Sequence, residues 1–338
     1  MSRPLTIAIA GDVMLGRMVD ETIAERGVSY PWGDLLPLLR GVDLFLVNLE
    51  CALTGQTRAW HDGEFKTFHF RGRPEAVQAL RAGGVDYVSL ANNHVCDFGA
   101  EGLLETGTLL DTAGIAHSGA GPDLASARQA ARLSVDGFRV GVLSFADYPL
   151  AWAATDVSPG VNFTDVSTAA ADFARVRRVI AAARRRSDLL VFSIHWGPNM
   201  RNRPSRLFQS FARRVMGSGV DVFWGHSAHL VQGIEVWEGK PILYDSGDFI
   251  DDYAVDAQER NDLSALFLLR VTPPDVERVD VIPVKIGDNQ VNRATAWERA
   301  WFERRLMALS AELGTTLAPT AEGLSATVRS KVGEVRWA

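Results

Sequence analysis

The stretch LTIAIAGD, residues 5–12, decides the fold, because a short apolar run ends there in Gly11 and Asp12. About six apolar residues are fewer than the roughly seven to fifteen of a secretion-signal core, so the run predicts a first β-strand. Similar runs predict further strands at Leu44 to Val47, Tyr87 to Leu90, Val140 to Phe145, Leu189 to Ile194, Val220 to Trp224, Ile242 to Tyr244, Leu263 to Leu269 and Val279 to Val284.

Longer segments of helical period fill many of the gaps between these runs, which is typical of a layered α/β fold. The predicted helices are Pro74 to Ala82, Thr168 to Arg186, Pro204 to Met216 and Ala294 to Leu313. Beyond Leu263 to Leu269 the pattern predicts an antiparallel edge. We therefore expect one α/β domain over residues 1–290 and a C-terminal helical extension, residues 291–338, packed on it.

Composition excludes several classes of function. The 338 residues carry a net charge of -6, which offers no broad attraction to nucleic acid or to an anionic membrane. No window approaches the ~18 to 20 apolar residues of a membrane-spanning helix. Cys51 and Cys96 are the two cysteines, so a disulfide framework is not expected and a reducing cytoplasm fits best. The oligomeric state is left open.

Polar side chains that can bind metal follow the predicted strands. They are Asp12 after the first strand, Asn48 and Glu50 after the second, Asn92, Asn93 and His94 after the third, His195, and finally His226 and His229. In layered α/β folds the carboxyl ends of the strands form the crevice where ligands bind. Imidazole, carboxylate and amide groups together suit a divalent metal. The sequence therefore predicts a metal centre at these strand ends.

Several segments resemble the CapA-type proteins, which are poly-γ-glutamate biosynthesis relatives within the calcineurin-like metallophosphoesterase superfamily. They are AGDVMLGR (10–17), VNLECALT (47–54), SLANNHVCDFG (89–99), HSGAG (117–121), HWG (195–197) and GHSAHLVQGIE (225–235). The resemblance runs in consistent order from about Ile7 to Phe249. It implies a four-layer α/β/β/α sandwich of two mixed sheets flanked by helices, with the metal at the strand ends.

The same resemblance implies roles for individual residues. Asp12, Asn93, His195, His226 and His229 would surround the metal, and His94 would act as an acid or stabilise the substrate. Asn48 or Glu50 would stand where the phosphoesterases have a bridging carboxylate, and we count Glu50 among the metal ligands.

Two departures from the superfamily pattern affect the expected metal. Met14 replaces a histidine, and Asn-Leu-Glu replaces the usual bridging Gly-Asp. With fewer imidazoles and more oxygens, the site favours about one hard ion per chain, Ca, Mg or Mn, while Zn stays open.

Histidines that bind no metal can serve in acid/base catalysis when a carboxylate orients them. The catalytic candidates are His94, Asp97, His195, His229 and Asp248, because Asp97 lies three residues after His94 and Asp248 follows the strand next to the His226 loop. The candidates for substrate binding are Arg17, Asn48, Arg201 and Arg203, since guanidinium forks bind carboxylates and phosphates.

Three functions are compatible with this site. The first is metal-dependent acid/base chemistry on a peptide substrate, with Cα epimerisation of the C-terminal residue of a lasso-type precursor as the most specific expectation. The second is phosphoester hydrolysis in which His94 protonates the leaving oxygen. The third is a role in poly-γ-glutamate capsule synthesis.

Overall fold

The computed structural model describes residues 3–61, 66–167 and 169–329. Its strands are β1 (Leu5–Val13), β2 (Leu44–Leu49), β3 (Ala52–Leu53), β4 (Arg71–Gly72), β5 (Tyr87–Ser89), β6 (Ala116–Ser118), β7 (Ala120–Gly121), β8 (Ala131–Val135), β9 (Phe138–Ala146), β10 (Gly160–Val161), β11 (Leu189–His195), β12 (Val222–His226), β13 (Ile234–Trp237), β14 (Lys240–Leu243), β15 (Asp248–Ile250), β16 (Leu263–Thr272), β17 (Asp275–Gly287), β18 (Gln290–Arg293), β19 (Ala318–Pro319) and β20 (Leu324–Thr327).

The α-helices are α1 (Arg17–Arg26), α2 (Leu36–Leu39), α3 (Val77–Gly83), α4 (Gly99–Ala113), α5 (Leu124–Ala127), α6 (Ala170–Arg184), α7 (Arg206–Met216) and α8 (Ala296–Glu312). Short 3-10 helices span Tyr30–Leu35, Pro74–Ala76 and Leu150–Trp152. Every predicted strand and helix is present within a few residues of its expected bounds, although Thr168 itself lies outside the described residues.

Two large mixed sheets face each other. One has the order β19-β20-β17-β16-β1-β2-β5-β6, with β15 also paired to β1 and β18 to β17; the other has the order β13-β14-β12-β11-β9-β8. Strands β1, β2, β5 and β6 run parallel, whereas β16 and β17 form the antiparallel part that the sequence predicts.

Successive side chains of β1 point to opposite faces of its sheet, and this alternation shows how the layers form. Ile7 and Ile9 point into the core between the two sheets, while Ala8 and Ala10 point to the core beneath helices α1, α3 and α4. The second sheet behaves in the same way, since Val191 faces the other sheet and Phe192 faces α6 and α7. This is the four-layer α/β/β/α sandwich that was expected, and burial of the two opposite faces accounts for it.

The segment after residue 290 contains more than a helix. Helix α8 packs Phe302 and Leu306 into the core between the sheets. Trp297 on the same helix is 64% exposed. Strand β20 pairs with β17 in the larger sheet. The described part of this segment therefore completes the sandwich, and a domain boundary at residue 290 stays a prediction.

Candidate metal centre

Asp12 lies near the end of β1, where neighbouring strands deliver two further polar residues. In the strand register it faces Asn48 of β2 and Asp248 of β15. The Asn48 amide donates a hydrogen bond of 2.8 Å to Asp12 Oδ1, while the buried Asp12 Oδ2 has no hydrogen-bond partner among the described residues. Asn48 thus orients the carboxylate and leaves one of its oxygens free.

Gly11 makes this register possible. A Cβ atom on Gly11 would lie 1.6 Å from the carbonyl oxygen of Gly247, so only glycine permits the two backbones to approach this closely. The Asp12 amide donates to the same carbonyl at 3.0 Å. The Gly-Asp pair that ends the first predicted strand is therefore explained by backbone contact as well as by ligand chemistry.

His195 and His226 lie opposite each other at the ends of the parallel strands β11 and β12. Their Nδ1 atoms are 3.0 Å apart, and the Nε2 atom of His226 lies 2.9 Å from the Ser193 hydroxyl. Nδ1 of His226 is also 3.6 Å from Asp12 Oδ1. One ligand atom from each of Asp12, His195 and His226 lies within 4.8 Å of the others. These three buried residues form the first ligand group.

His229 is held in the left-handed region of backbone conformation, with φ 58, in the turn after β12. Asp245 fixes this turn, because its carboxylate accepts hydrogen bonds from the amides of Ala228 (2.8 Å) and Gly247 (2.9 Å). Nδ1 of His229 lies 2.7 Å from Asp248 Oδ1. A strained, well-supported turn of this kind is typical of functional sites.

A second ligand group surrounds this histidine. Ligand atoms of Asp12, Glu50, His229 and Asp248 again lie within 4.8 Å of one another. Glu50 Oε2 accepts a hydrogen bond of 2.9 Å from the Tyr253 hydroxyl, whereas Glu50 Oε1 and Asp248 Oδ2 are buried without a hydrogen-bond partner among the described residues. Because Asp12 belongs to both groups, the two groups adjoin and together could hold two cations, while the expected count of one ion per chain stays a prediction.

The chemistry of these residues fits divalent cations. Burial lowers the pKa of His226 to about 3, and burial followed by repulsion from His226 lowers the pKa of His195, so both imidazoles are neutral ligands at pH 7. Burial raises the pKa of Glu50 to about 7, and burial with repulsion from Glu50 and Asp248 raises that of Asp12. Crowded, buried carboxylates with unpartnered oxygens are costly, and a bound cation offsets that cost.

His94 and Asp97 form a separate pair beside these groups. Nδ1 of His94 lies 2.6 Å from Asp97 Oδ2, and the His94 ring stacks on Phe70 with 4.0 Å between ring centroids. The Phe70 amide and the Lys66 ammonium both donate to Asp97. Because Nδ1 is engaged, Nε2 is the His94 atom left for a substrate. The structure thus brings His94 and Asp97 together, as their spacing in the sequence predicts.

Comparison with known proteins shows to which family the chain belongs. Residues 6–253 match the model of the family described as "Bacterial capsule synthesis protein PGA_cap". The chain belongs to this family. The match bears out the CapA-type resemblance and places the protein in the calcineurin-like superfamily.

Curated relatives extend this result. A "probable polyglutamine synthesis accessory protein" of Mycobacterium tuberculosis is 31% identical, over 95% of both chains. The "capsule biosynthesis protein CapA" of Bacillus anthracis is 27% identical, over 86% of this chain and 70% of its own. The crystal structure of a hypothetical protein from Thermus thermophilus has a TM-score of 0.52 at 14% identity, over 83% of this chain and 99% of that one, which supports the fold alone.

The remaining predicted residues of this PGA_cap protein have different surroundings. The buried Oδ1 of Asn93 has no hydrogen-bond partner among the described residues and is free to bind a ligand. Arg17 lies 3.2 Å from Asp252 and over Phe70, with 38% of its side chain exposed. Asn48 is better described as a positioning residue, because both its amide nitrogen and its oxygen are used within the site.

The two predicted arginines of the loop after β11 also differ from each other. Arg201 is exposed and lines a cavity of about 190 Å³ beside Trp196. Arg203 is already occupied, because its guanidinium makes a bidentate ion pair of 2.6 and 2.7 Å with Glu312. That pair argues against Arg203 as a ligand for substrate.

Sequence reasoning missed three residues of the site. Lys66 donates to Asp97 and to the Asn93 carbonyl, Tyr253 donates to Glu50, and Asp245 supports the His229 turn. Asp245 directly follows the predicted strand Ile242 to Tyr244, which is the signal that could have identified it. Lys66 and Tyr253 carried no usable signal, since neither follows a predicted strand of the sheets that build the site.

The buried carboxylates predict how the metal-free protein responds to pH. Burial raises the pKa of both Glu50 and Asp245 to about 7, so the folded chain holds protons that the unfolded chain has lost, and its stability falls as pH rises through that range. Burial lowers the pKa of His229, but Asp248, Glu50 and Asp12 raise it well above its ordinary value. The titration of His229 therefore also lowers the stability of the folded chain as pH rises. His94, His195 and His226, with lowered pKa values, cost stability only below their ordinary value of 6.5.

We therefore expect the chelator-treated protein to lose roughly 1 to 3 kcal/mol of unfolding free energy between about pH 6.5 and pH 8.5. Urea denaturation at the two pH values measures the change. Saturating Mn²⁺ should remove most of the loss, because a cation stabilises the ionised carboxylates. Equal stability of the metal-free protein at both pH values would contradict this electrostatic description.

One further finding concerns membranes. Among the residues that the structure describes, no helix is long and apolar enough to cross a bilayer.

Proposed function

We propose that this protein is a metal-dependent phosphoester hydrolase that serves the synthesis of a glutamate polymer. The observation that carries the proposal is the pair of ligand groups that share Asp12. Two cations bridged by one carboxylate are the arrangement that many phosphoesterases use. Divalent cations held there would polarise the phosphoryl group and activate a water molecule for attack.

The residues of the chain prepare this reaction in three ways. Asn48 fixes the rotation of the Asp12 carboxylate, so that the free Oδ2 is available to a cation. Asp248 orients His229 through Nδ1. His195 and His226 are kept neutral by burial, which preserves the lone pairs that bind metal. Each contact reduces the reorganisation needed when ligands bind.

His94 is proposed as the group that protonates the leaving oxygen. Asp97 accepts from Nδ1 and so fixes the ring with Nε2 available to the substrate. Burial lowers the pKa of the free His94 to about 4, but a bound phosphate brings negative charge, which favours the protonated imidazole. The Arg17 guanidinium lies 5.6 Å from the Phe70 ring on which His94 stacks, and it can bind a phosphate oxygen.

The glutamate-polymer context is inferred from the CapA-type resemblance, together with the names of the relatives. The Mycobacterium tuberculosis protein is named for polyglutamine synthesis and the Bacillus anthracis protein for capsule biosynthesis. Neither name supports Cα epimerisation of a peptide, which the sequence alone made the leading expectation. The relatives favour the capsule-synthesis alternative over it, and phosphoester hydrolysis is the chemistry that the paired ligand groups support.

The test is hydrolysis of phenyl phosphate and bis(4-nitrophenyl) phosphate by the purified protein loaded with Mn²⁺, Mg²⁺ or Zn²⁺. We expect turnover with at least one metal, loss of that turnover after chelation, and recovery when the metal is restored. Turnover that survives complete metal removal would overturn the proposal, as would a fully metal-loaded protein that hydrolyses neither the monoester nor the diester.

A further inference from the structure

A second cavity, of about 350 Å³, is lined by arginines from three parts of the chain. Arg128 follows α5, Arg132 lies on the edge strand β8, and Arg185 and Arg186 follow α6. No acidic side chain is among the described residues that line it, and none of these four guanidinium groups makes an ion pair within the described part of the chain. We call this cavity, by its four arginines, the arginine pocket.

The C-terminal ends of neighbouring helices neutralise only part of this positive charge. Cations are favoured near helix C-termini, and α5 and α6 both end at the pocket. Two such ends supply at most about one negative elementary charge between them, since α5 has only four residues, against four guanidinium groups. Arg184, by contrast, is neutralised by Asp221. The pocket therefore keeps a positive excess that the fold itself does not neutralise.

Neighbouring charges increase that excess. Partial burial and then the nearby Arg175 and Arg178 lower the pKa of Arg128, and Asp156 is the acid that opposes them. A guanidinium placed among others of the same sign, without a partner, is unfavourable in the free protein. An anionic ligand would relieve this repulsion.

The pocket and the metal centre are separate sites. Ser187, which lines the pocket, comes just before β11, and His195 of the first ligand group ends that strand. A strand rises about 3.3 Å per residue, so the two sites lie roughly 20 Å apart along β11. They share no lining residue among those described.

The shape and lining indicate an extended polycarboxylate. A larger cavity of about 550 Å³ shares Gln129, Ala130 and Arg132 with the arginine pocket and continues past His117. That adjoining cavity contains one acid, Asp111. Neither cavity is lined by an aromatic ring other than the imidazole of His117, so the stacking surfaces that bind nucleic acid bases are missing from the described lining. Guanidinium forks match carboxylates, and Gln129 can bind an amide backbone.

We propose that the arginine pocket binds a linear, carboxylate-bearing glutamate polymer and holds it on the protein away from the metal centre. The choice of polymer rests on the proposed function, because the resemblance to poly-γ-glutamate biosynthesis proteins supplies it, whereas the anionic character of the ligand rests on the pocket alone.

The test uses fluorescence anisotropy with labelled poly-γ-glutamate on the full, metal-loaded protein. We expect binding that weakens as ionic strength rises, because salt screens charges at an exposed site. The double variants Arg128→Gln/Arg132→Gln and Arg185→Gln/Arg186→Gln should each bind at least about tenfold more weakly, the effect of losing two charged hydrogen-bonding groups. The matched control Arg81→Gln/Arg177→Gln removes the same charge from exposed positions outside the pocket and should bind like the wild type.

Further arms separate this proposal from the proposed function. Asp12→Asn should keep full polymer binding, and the pocket variants should keep phenyl phosphate hydrolysis. Polymer binding that is unchanged in both pocket variants would overturn the proposal even if the enzyme is active. So would tighter binding of labelled single-stranded DNA that depends on the same arginines, since the pocket would then prefer another class of macromolecule.

Discussion

Replacing Asp12 with asparagine is expected to empty the metal centre. The wild-type protein, loaded with Mn²⁺ and dialysed, should hold about two ions per chain, because two ligand groups meet at Asp12. Asparagine keeps the size of the side chain but removes the charge that both positions share. The metal content per chain, measured by elemental mass spectrometry, should therefore fall from about two ions in the wild type to near zero in the variant.

Two further variants make this test specific. Glu50→Gln alters only the group that contains His229 and Asp248, so it should retain about one ion, held by the group with His195 and His226. Asp86→Asn is the matched control, since Asp86 is a partly buried carboxylate outside both groups that accepts from the Phe45 amide at 2.8 Å. A wild-type content of one ion would support the single metal predicted from the sequence. Full metal retention in Asp12→Asn would contradict both the one-ion and the two-ion descriptions, because Asp12 is a ligand in each.

The sequence predicted the parts of this site that depend on local pattern. A β-strand is recognisable from a run of apolar residues, and the residue at its carboxyl end is therefore known as well. Asp12, His195 and His226 could be assigned to strand ends for this reason, and the structure brings their side chains together. The i,i+3 spacing of His94 and Asp97 was enough to pair them.

Contacts between distant segments could not be predicted in the same way. Tyr253 reaches Glu50 across 203 residues, and Arg203 meets Glu312 across 109 residues. No periodicity encodes such pairs, because they depend on how loops pack after the sheets have formed. The possibility of a second cation was hidden for a related reason. It depends on the shared position of Asp12 between two ligand groups, whereas the sequence showed only that two expected ligands had been replaced.

The second large effect is expected at His94, where replacement by glutamine should slow hydrolysis without removing metal. General acid catalysis contributes typically about 10²- to 10⁴-fold, so kcat for phenyl phosphate should fall by about that factor. The loss should be much smaller for 4-nitrophenyl phosphate, whose leaving group needs little protonation. Asp97→Asn should show the same dependence on the leaving group with a smaller loss, because it disturbs the orientation of His94 but leaves the imidazole in place.

The chain offers a matched control for this pair. His117 lies 3.2 Å from Asp111 at the surface, so His117→Gln breaks a histidine–aspartate contact of the same chemistry outside the metal centre, and its kcat should stay at the wild-type value. Metal content measured on every variant separates an effect on catalysis from an effect on the ligands. If His94→Gln slowed both substrates equally, His94 would be acting on substrate binding or on the fold, and the proton that the leaving oxygen receives would have to come from another group.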